Sequence, residues 1–117
     1  MQFSEPNINM DNQEAIQEAD ELLHIDYHNV KKASLILRAL NNKLRQQILK
    51  IIDEERKITV TDIYVKLRLE QSVASQHLAI LRTAGVVSTH REGKCIYYFI
   101  NDERVNVIER TVGSLVN

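Results

Sequence analysis

The chain has 117 residues, of which 44% are hydrophobic and 26% charged, and its formal net charge at pH 7 is −1. This balance is typical of one soluble globular domain and excludes an intrinsically disordered chain. No apolar run approaches the roughly 20 residues that a membrane-spanning helix needs, so we expect no membrane partner.

Two features of the sequence favour a cytoplasmic location. The N-terminal residues lack the basic start and the uninterrupted apolar segment of a secretory signal. The single cysteine, Cys95, cannot form an internal disulfide bond, and such cysteine usage is typical of a reducing compartment. We therefore expect a cytoplasmic protein.

The charges are distributed unevenly along the chain. Seven of the 16 acidic residues lie within residues 1–30, which contain no lysine or arginine. The remaining residues therefore carry all 15 basic residues against nine acidic ones. A basic body is compatible with binding to a polyanion, although solvated faces of both signs would give the same counts.

Helical periodicity dominates the first half of the sequence. Residues 1–10 lack it and are predicted to be a flexible tail. A first helix is predicted from residue 11 or 12 to about residue 24, and a second over about 27–40. Asn42 is predicted to be the N-cap of a third helix. The apolar stripe of the second helix comprises Val30, Ala33, Leu37 and Leu40, and that of the third comprises Leu44, Ile48, Ile51 and Ile52.

A short β-branched segment and another helix follow. Residues 58–60 are predicted to be a brief strand. Thr61 is predicted to cap the helix, with Asp62 favourably placed in its first turn. The apolar residues of this helix are Ile63, Val65 and Leu67.

The next helix begins after a short turn at residues 68–70. We predict its start at Gln71 or Ser72 and its end at Gly85, where a left-handed C-terminal cap is usual. Its core-facing residues are Val73, Ala74, Leu78 and Leu81.

The apolar period then changes from 3.6 to 2. Segments 86–91 and 95–100 flank residues 92–94, Glu-Gly-Lys, and this pattern predicts a hairpin with glycine in its turn. Asn101 or Asp102 is predicted to cap a last helix. The apolar residues of that helix are Val105, Ile108, Val112 and Leu115.

The predicted order of elements identifies a fold class. A helix pair with a tight turn, followed by a hairpin, is the winged helix-turn-helix arrangement. We therefore predict a mainly α protein with a small β-hairpin. Residues 11–117 would form one domain, with the helix-turn-helix at 61–84 and the wing at 86–100.

The second helix of such a pair enters the DNA major groove by its N-terminal half. Hydrogen-bonding side chains cluster there: Gln71, Ser72, Ser75, Gln76 and His77. Gln76 is the best candidate for base recognition, because its amide can pair bidentately with adenine, whereas Ser72 and Ser75 suit less specific contacts. His77 has two alternatives: a DNA contact, or packing beside Leu78 with an internal hydrogen bond. For the whole cluster, simple exposure to water is the competing interpretation.

The hairpin tip supplies a second candidate contact with DNA. Arg91 and Lys94 flank the turn and are long enough to reach backbone phosphate or the minor groove, and His90 could join them. Glu92 between them would repel phosphate, so we expect it to point away. A tip that is charged only for solubility is the alternative interpretation.

Residues 61–100 resemble the ArsR/SmtB family of bacterial winged-helix repressors. The resemblance rests on Ser-Gln-His-Leu at 75–78, Leu-Arg-Thr-Ala-Gly-Val-Val at 81–87, Arg-Glu-Gly at 91–93 and the aromatic pair Tyr97-Tyr98. Residues 41–52 likewise resemble the helix that precedes the recognition unit of that family.

The resemblance implies a homodimer that occupies an operator in double-stranded DNA and blocks transcription. It also implies that the first and last helices, within 11–40 and 102–117, form the dimer interface. The apolar stripes of these terminal helices agree with this, since a symmetric dimer would bury both. The alternative is that the helices fold back on their own core.

The family's two metal sites do not match this sequence. Where one site has a Cys-X-Cys run, this chain has Thr59 and Thr61, which cannot supply thiolates. The other site lies on the last helix with histidine ligands, whereas this helix has carboxylates but no histidine. We expect neither a metal nor another cofactor, and the sequence does not identify an inducer.

Two further groups of residues are candidates for sensing. His24 and His28 are four residues apart and would share a helix face if the segment were helical, but the pair lies near a predicted helix break. Cys95 begins the second hairpin strand without a second thiol, so we expect a packed small residue rather than a redox switch.

The sequence contains no recognisable catalytic motif, since it has neither a glycine-rich phosphate loop nor a nucleophile in a strand-turn-helix setting. We expect a DNA-binding protein rather than an enzyme. A winged-helix protein-interaction module that does not bind DNA is the alternative, because the acidic N-terminal segment could mask a basic surface.

Overall fold

The computed structural model of the protein describes residues 24–117, which form five helices and three strands. The helices are α1 (Tyr27–Leu40), α2 (Lys43–Glu55), α3 (Val60–Leu67), α4 (Gln71–Thr83) and α5 (Asp102–Val116). The strands are β1 (Ile58–Thr59), β2 (Val87–Glu92) and β3 (Cys95–Ile100). The predicted tail and the predicted first helix, apart from its last residue, lie outside the described residues. None of the five helices is long and apolar enough to cross a membrane.

Helix α1 crosses the boundary between two structural units, which falls after Ser34. Its start is fixed by Asp26, whose carboxylate accepts hydrogen bonds from the backbone N–H groups of His28 and Asn29 at 3.0 and 3.2 Å. The hydrophobic core and the candidate DNA-binding elements described below belong to the second unit, Leu35–Asn117.

Side-chain caps also fix the starts of three other helices. Asn42 caps α2 as predicted, accepting from the Arg45 N–H at 3.0 Å, and Asn101 caps α5 in the same way. For α3 the predicted cap was wrong. Thr59, not Thr61, accepts from the Asp62 N–H at 3.2 Å, because strand β1 ends one residue earlier than predicted and the helix begins at Val60.

The core lies where α2, α3 and α4 meet the start of the sheet. Eight buried residues form it: Ile48, Ile52, Ile58, Ile63, Leu78, Leu81, Val86 and Val87. Three aliphatic side chains of α1 and α5 are partly buried against this core: Leu40, Val105 and Ile108. Burial of each large aliphatic side chain contributes about 1.5–3 kcal/mol to stability, so these contacts hold the helix pair in place.

The three strands form an antiparallel sheet in the order β1-β3-β2. Strand β1 places Thr59 opposite Tyr97, and the hairpin of β2 and β3 runs from Val87 opposite Ile100 to Glu92 opposite Cys95. Gly93 turns the chain at the tip with φ +59°, as the glycine in this turn predicted. The wing is therefore a hairpin with a short third strand at its side.

Helix α4 ends in a left-handed cap at Gly85, as predicted. The Gly85 N–H donates to the Arg82 carbonyl at 2.9 Å and the Val86 N–H donates to the Leu81 carbonyl at 3.2 Å. These two bonds are those of a Schellman motif. Glycine is required because φ is +81° there. The cap delivers Val86 and Val87 directly into the core.

Val65 and Cys95 are both exposed. Val65, one of the apolar residues of α3, is 62% exposed, because it lies about 200° around the helix from the buried Ile63. Cys95 was expected to be a packed small residue, but it is exposed. It pairs with Glu92 at the far end of the hairpin, and the core ends near Val87.

Candidate nucleic-acid interface

Helix α4 has one buried and one exposed face. Ala74, Leu78 and Leu81 have no exposed surface and anchor the helix. The predicted polar residues Gln71, Ser72, Ser75 and Gln76 are all exposed. Successive helical residues are about 100° apart, so Gln76 lies roughly opposite the buried face. The N-terminal half of α4 therefore presents amide and hydroxyl groups to the outside from a rigid base.

The exposed face of α4 continues in two residues that were not predicted to belong to it. Ala79 and Ile80 follow Gln76 by three and four residues, and both are exposed, Ile80 to 42%. The spacing alone identifies them, because residues three and four apart share a helix face. The sequence analysis did not assign them to the exposed face, because apolar side chains on a helix are usually assigned to the core.

The start of α4 differs from those of the other capped helices. Glu70 occupies the N-cap position, but its side chain accepts no hydrogen bond from the first turn, whereas Asn42, Thr59 and Asn101 each accept one in their helices. Within the described residues, this first turn of α4 is thus left without a side-chain cap.

His77 is half-buried and makes an internal hydrogen bond. Its Nδ1 lies 3.2 Å from Nη1 of Arg45, which projects from α2. A guanidinium can only donate, so Nδ1 accepts and the ring proton lies on Nε2. Burial and the nearby Arg45 charge both lower the pKa of His77 from its ordinary value of 6.5. Of the two alternatives for this residue, the internal hydrogen bond is present, while its contact with DNA stays a prediction.

The wing tip carries two exposed cations beside a paired carboxylate. Arg91 donates from Nε to the Gly93 carbonyl at 3.1 Å, which braces the turn, and Lys94 is exposed next to it. The Glu92 carboxylate accepts two hydrogen bonds from Lys57 Nζ, at 2.7 and 2.9 Å. His90 Nε2 lies 4.0 Å from the same carboxylate. The negative charge predicted to oppose phosphate is therefore engaged by a lysine.

Lys57 and Glu92 shift each other's pKa. The hydrogen bond from Lys57, assisted by its charge, lowers the pKa of Glu92, and the bond to Glu92 raises the pKa of Lys57. Lys57 also lies over the ring of Tyr97, with Nζ 4.8 Å from the ring centroid. Sequence reasoning missed Lys57 because it follows α2 and is 35 residues from its partner.

Thr59, at a cysteine position of the first metal site in the resembled family, and the separate candidate pair His24 and His28 can each be placed in the structure. The Thr59 hydroxyl caps α3. His24 precedes α1 with φ +54°, so it does not share a helix face with His28. Across residues 24–117, no three side chains of histidine, cysteine, aspartate or glutamate are grouped so that they could hold a metal ion.

Comparison with known proteins gives consistent matches. Residues 42–89, from the cap of α2 into the wing, match the model of the bacterial regulatory protein arsR family. The transcriptional activator HlyU of Vibrio cholerae is 37% identical over 81 residues, which span 68% of this chain and 73% of HlyU. The chain belongs to the ArsR family.

Two other similarities place the chain within this family and its fold. The transcriptional repressor PagR of Bacillus anthracis is 32% identical over 84 residues, covering 72% of this chain and 84% of PagR. The solved structure of reduced HlyU superimposes with a TM-score of 0.58 over 77% of this chain and 90% of HlyU, at 34% identity.

A second solved structure shows the same fold at lower identity. The homodimeric winged helix-turn-helix DNA-binding domain of Mb0332 from Mycobacterium bovis matches with a TM-score of 0.64 at 23% identity, covering 76% of this chain and 82% of that chain. Members of the ArsR family are DNA-binding transcriptional regulators, often homodimeric, rather than enzymes. The predicted winged helix-turn-helix fold is confirmed.

Proposed function

We propose that this ArsR-family protein is a sequence-specific repressor that binds a palindromic operator as a homodimer. The proposal rests chiefly on one observation: α4 exposes Ser72, Ser75 and Gln76 in its first half while its opposite face is fully buried. The similarity to PagR, a transcriptional repressor, supports the direction of regulation. A dimer that occupies an operator blocks transcription by excluding other proteins from that DNA.

Base recognition is assigned to the first two turns of α4. Gln76 lies at the centre of the exposed face, where its amide oxygen can accept from the N6 amino group of adenine and its amide nitrogen can donate to N7. Ser72 and Ser75 flank it and suit contacts with phosphate or with more than one base. Gln71, at the helix start, suits a backbone contact. His77 is placed beside this group as an Nε2–H donor.

Phosphate binding is assigned to the wing. Arg91 and Lys94 are exposed at the tip, and the pairing of Glu92 with Lys57 reduces the local repulsion of a polyanion. Each phosphate contact displaces condensed counterions, so the wing would add affinity without sequence preference and would make binding sensitive to salt.

Dimer formation is assigned to the terminal helices. Helix α1 exposes Val30 and Leu37, with Val30 49% exposed, and α5 exposes Val107, Leu115 and Val116, with Leu115 77% exposed. Apolar surface of this kind is expected to be covered by a partner, and a second copy of the chain covers the same face on each subunit. The partial burial of Val105 and Ile108 shows that α5 also packs on its own core.

Regulation by the family's two metal sites is not proposed for this chain. Soft metals require thiolate ligands, and threonine occupies both cysteine positions of the first site. Asp102, Glu103 and Glu109 lie on α5 without an imidazole to complete a zinc site. We infer that an inducer, if one acts on this protein, is of another chemical class.

The test begins with selection of duplexes from a random DNA pool by the purified full-length protein at low salt. The expected outcome is enrichment of an imperfect palindrome whose half-sites are about one helical turn apart, or a multiple of it. Affinity for the selected duplex should fall steeply as salt rises. Failure to enrich any sequence would contradict the proposal and favour a protein-interaction module.

A second measurement tests the metal assignment. Protein purified without chelator is analysed for bound metal, and the selected duplex is challenged with zinc or cadmium salts. We expect no stoichiometric metal and no release of DNA. A bound metal that releases DNA would overturn this part of the proposal while leaving DNA recognition intact.

A further inference from the structure

Side chains of α2 donate to three of the last four carbonyl groups of α1. An α-helix leaves its last four carbonyl groups without partners in the helix. Here the Leu37 carbonyl accepts from the Asn41 N–H at 2.9 Å and the Leu40 carbonyl accepts from Gln46 Nε2 at 2.9 Å. The two carbonyls between them, of Arg38 and Ala39, both accept from Arg45.

Arg45 contacts two separate helices with one guanidinium. Its Nε donates to the Ala39 carbonyl at 2.6 Å and its Nη2 donates to the Arg38 carbonyl at 3.2 Å. Its remaining Nη1 lies 3.2 Å from His77 Nδ1 on α4. The planar fork fixes these directions relative to each other, which a lysine could not do.

The geometry points to Arg45 as a positioning residue that couples the C-terminal turn of α1 to α4, the proposed recognition helix, through His77. Protonation of His77 is the event that breaks this coupling. Neutral His77 accepts from Arg45 through Nδ1. Protonated His77 has only donors, so it would face the guanidinium as a second cation without a hydrogen bond. The Arg45 end of the contact would remain bound to α1.

This inference rests on the proposed function for its consequence in DNA binding. If α1 contributes to the dimer, Arg45 sets where each recognition helix lies relative to the dimer interface. The separation of the two α4 helices must match half-sites one helical turn, roughly 34–36 Å, apart. Loss of the coupling would then weaken binding to the palindrome more than binding to unrelated DNA.

The same contact affects folding stability independently of DNA. Burial and the Arg45 charge lower the pKa of His77, so below its ordinary pKa of 6.5 the unfolded chain binds a proton that the folded chain resists. This contribution to stability is complete above that pH and is lost as the pH falls below it. Arg45 is the one charged group among the described residues whose field shifts the pKa of His77.

The variants are chosen to separate the effect of losing the hydrogen bond from the effects of losing charge and of unfolding. Arg45→Gln removes the guanidinium, and Lys50→Gln is the matched control, since it removes one positive charge from an exposed site on the same helix. His77→Asn keeps an acceptor near the Nδ1 position but does not titrate, and His77→Leu removes the acceptor. Circular dichroism establishes that each full-length variant is folded.

Two measurements then test the coupling. The ¹⁵N chemical shifts of the His77 ring should show the Nε2–H tautomer in the parent protein. Affinity for the selected duplex, at constant ionic strength, should fall about tenfold more in the parent than in His77→Asn once acid has protonated His77, as followed by its ring ¹⁵N shifts. At neutral pH, Arg45→Gln should bind about tenfold more weakly than Lys50→Gln, and His77→Leu about tenfold more weakly than His77→Asn, which also lacks the Nε2–H donor but keeps the acceptor.

Each contrary result has a definite meaning. An Nδ1–H tautomer, or an equal response to acid in the parent and in His77→Asn, would overturn the inference. If Arg45→Gln fails to fold, the comparison of His77→Asn with His77→Leu decides. If no duplex binds at all, the proposed function fails, and the coupling is judged instead by whether acid lowers the Tm of the parent more than that of His77→Asn.

Discussion

Helix α4 and the wing are held by different interactions. Helix α4 is anchored by Ala74, Leu78 and Leu81, none of which has exposed surface. Along β2 the burial decreases from the buried Val87 to the exposed Glu92, and the tip is held by an exposed ion pair with Lys57. Packed cores fix side-chain positions tightly, whereas exposed ion pairs contribute little stability and adapt to their surroundings.

This difference separates two requirements of DNA recognition. Hydrogen bonds to base edges need donors and acceptors at fixed positions, which a buried helix face provides. Phosphate contacts tolerate small displacements, because the attraction is long-ranged and does not depend on the base. Specificity is therefore expected from α4 and affinity from the wing, with Gly85 as the joint between them.

The largest expected effect on selectivity comes from Gln76→Ala in α4. Removal of one bidentate contact should reduce discrimination at one base position by about 1–3 kcal/mol and leave other positions unchanged. Competition binding with duplexes substituted at each position measures this. The control is Gln47→Ala on α2, which removes an exposed glutamine outside the interface. Equal selectivity in the two variants would show that Gln76 does not contact a base.

Gly85→Ala tests the joint between α4 and the wing. An alanine at φ +81° costs about 1–2 kcal/mol in backbone strain. Its Cβ would also lie 2.7 Å from Arg104 Nε, whose flexible side chain would have to move. We expect a lower free energy of unfolding in denaturant titrations.

Gly113→Ala is the matched control for that experiment. Gly113 lies inside α5, and outside the local helix backbone the nearest described atom to a Cβ there would be Asn117 Nδ2, at 4.0 Å. Alanine is favoured over glycine in a helix by about 0.5–1 kcal/mol, so this variant should be more stable than the parent. Two glycine substitutions with opposite signs would show that Gly85 is required for its backbone conformation. Equal stability of Gly85→Ala and the parent would contradict the assigned cap.

Arg91→Ala and Lys94→Ala test the wing. Each variant should bind all sequences more weakly by a similar factor, without a change in base preference. The slope of log affinity against log salt should become shallower by about 0.9 for each phosphate that the variant no longer neutralises. Lys50→Ala, on α2, controls for the change in net charge. A weakening confined to one base position would instead assign the wing to base recognition.

The features that the sequence predicted correctly are local ones. The 3.6-residue period identified the buried face of α4 and the polar part of its exposed face, and a glycine after the last apolar turn identified its end, because these depend on neighbours within one or two turns. The bounds of α1 and the cap at Asn42 were predicted for the same reason, and Asn101 was one of the two residues predicted to cap α5. The change of period from 3.6 to 2 located the wing.

The features that the sequence did not predict depend on distant partners. Arg45 and His77 are 32 residues apart, and Lys57 and Glu92 are 35 apart, so no local pattern connects them. The cap of α3 was assigned to the wrong threonine because the end of β1 is set by its pairing with β3.

The smallest expected effect concerns the ion pair that holds the wing tip. The hydrogen bond and charge of Lys57 lower the pKa of Glu92 below its ordinary value of 4.5, so Lys57→Met should return it towards that value. Carboxyl ¹³C shifts in an NMR titration measure this. In the parent the stabilising contribution is present above pH 4.5 and is lost as the pH falls through the lower folded pKa.

Lys66→Met, which removes the separate ion pair with Glu55, should leave the pKa of Glu92 unchanged. An unchanged pKa of Glu92 in Lys57→Met would mean that the wing tip is held by its backbone pairing with β3 alone. The difference between α4 and the wing would then be one between side-chain packing and strand pairing, without a contribution from the ion pair.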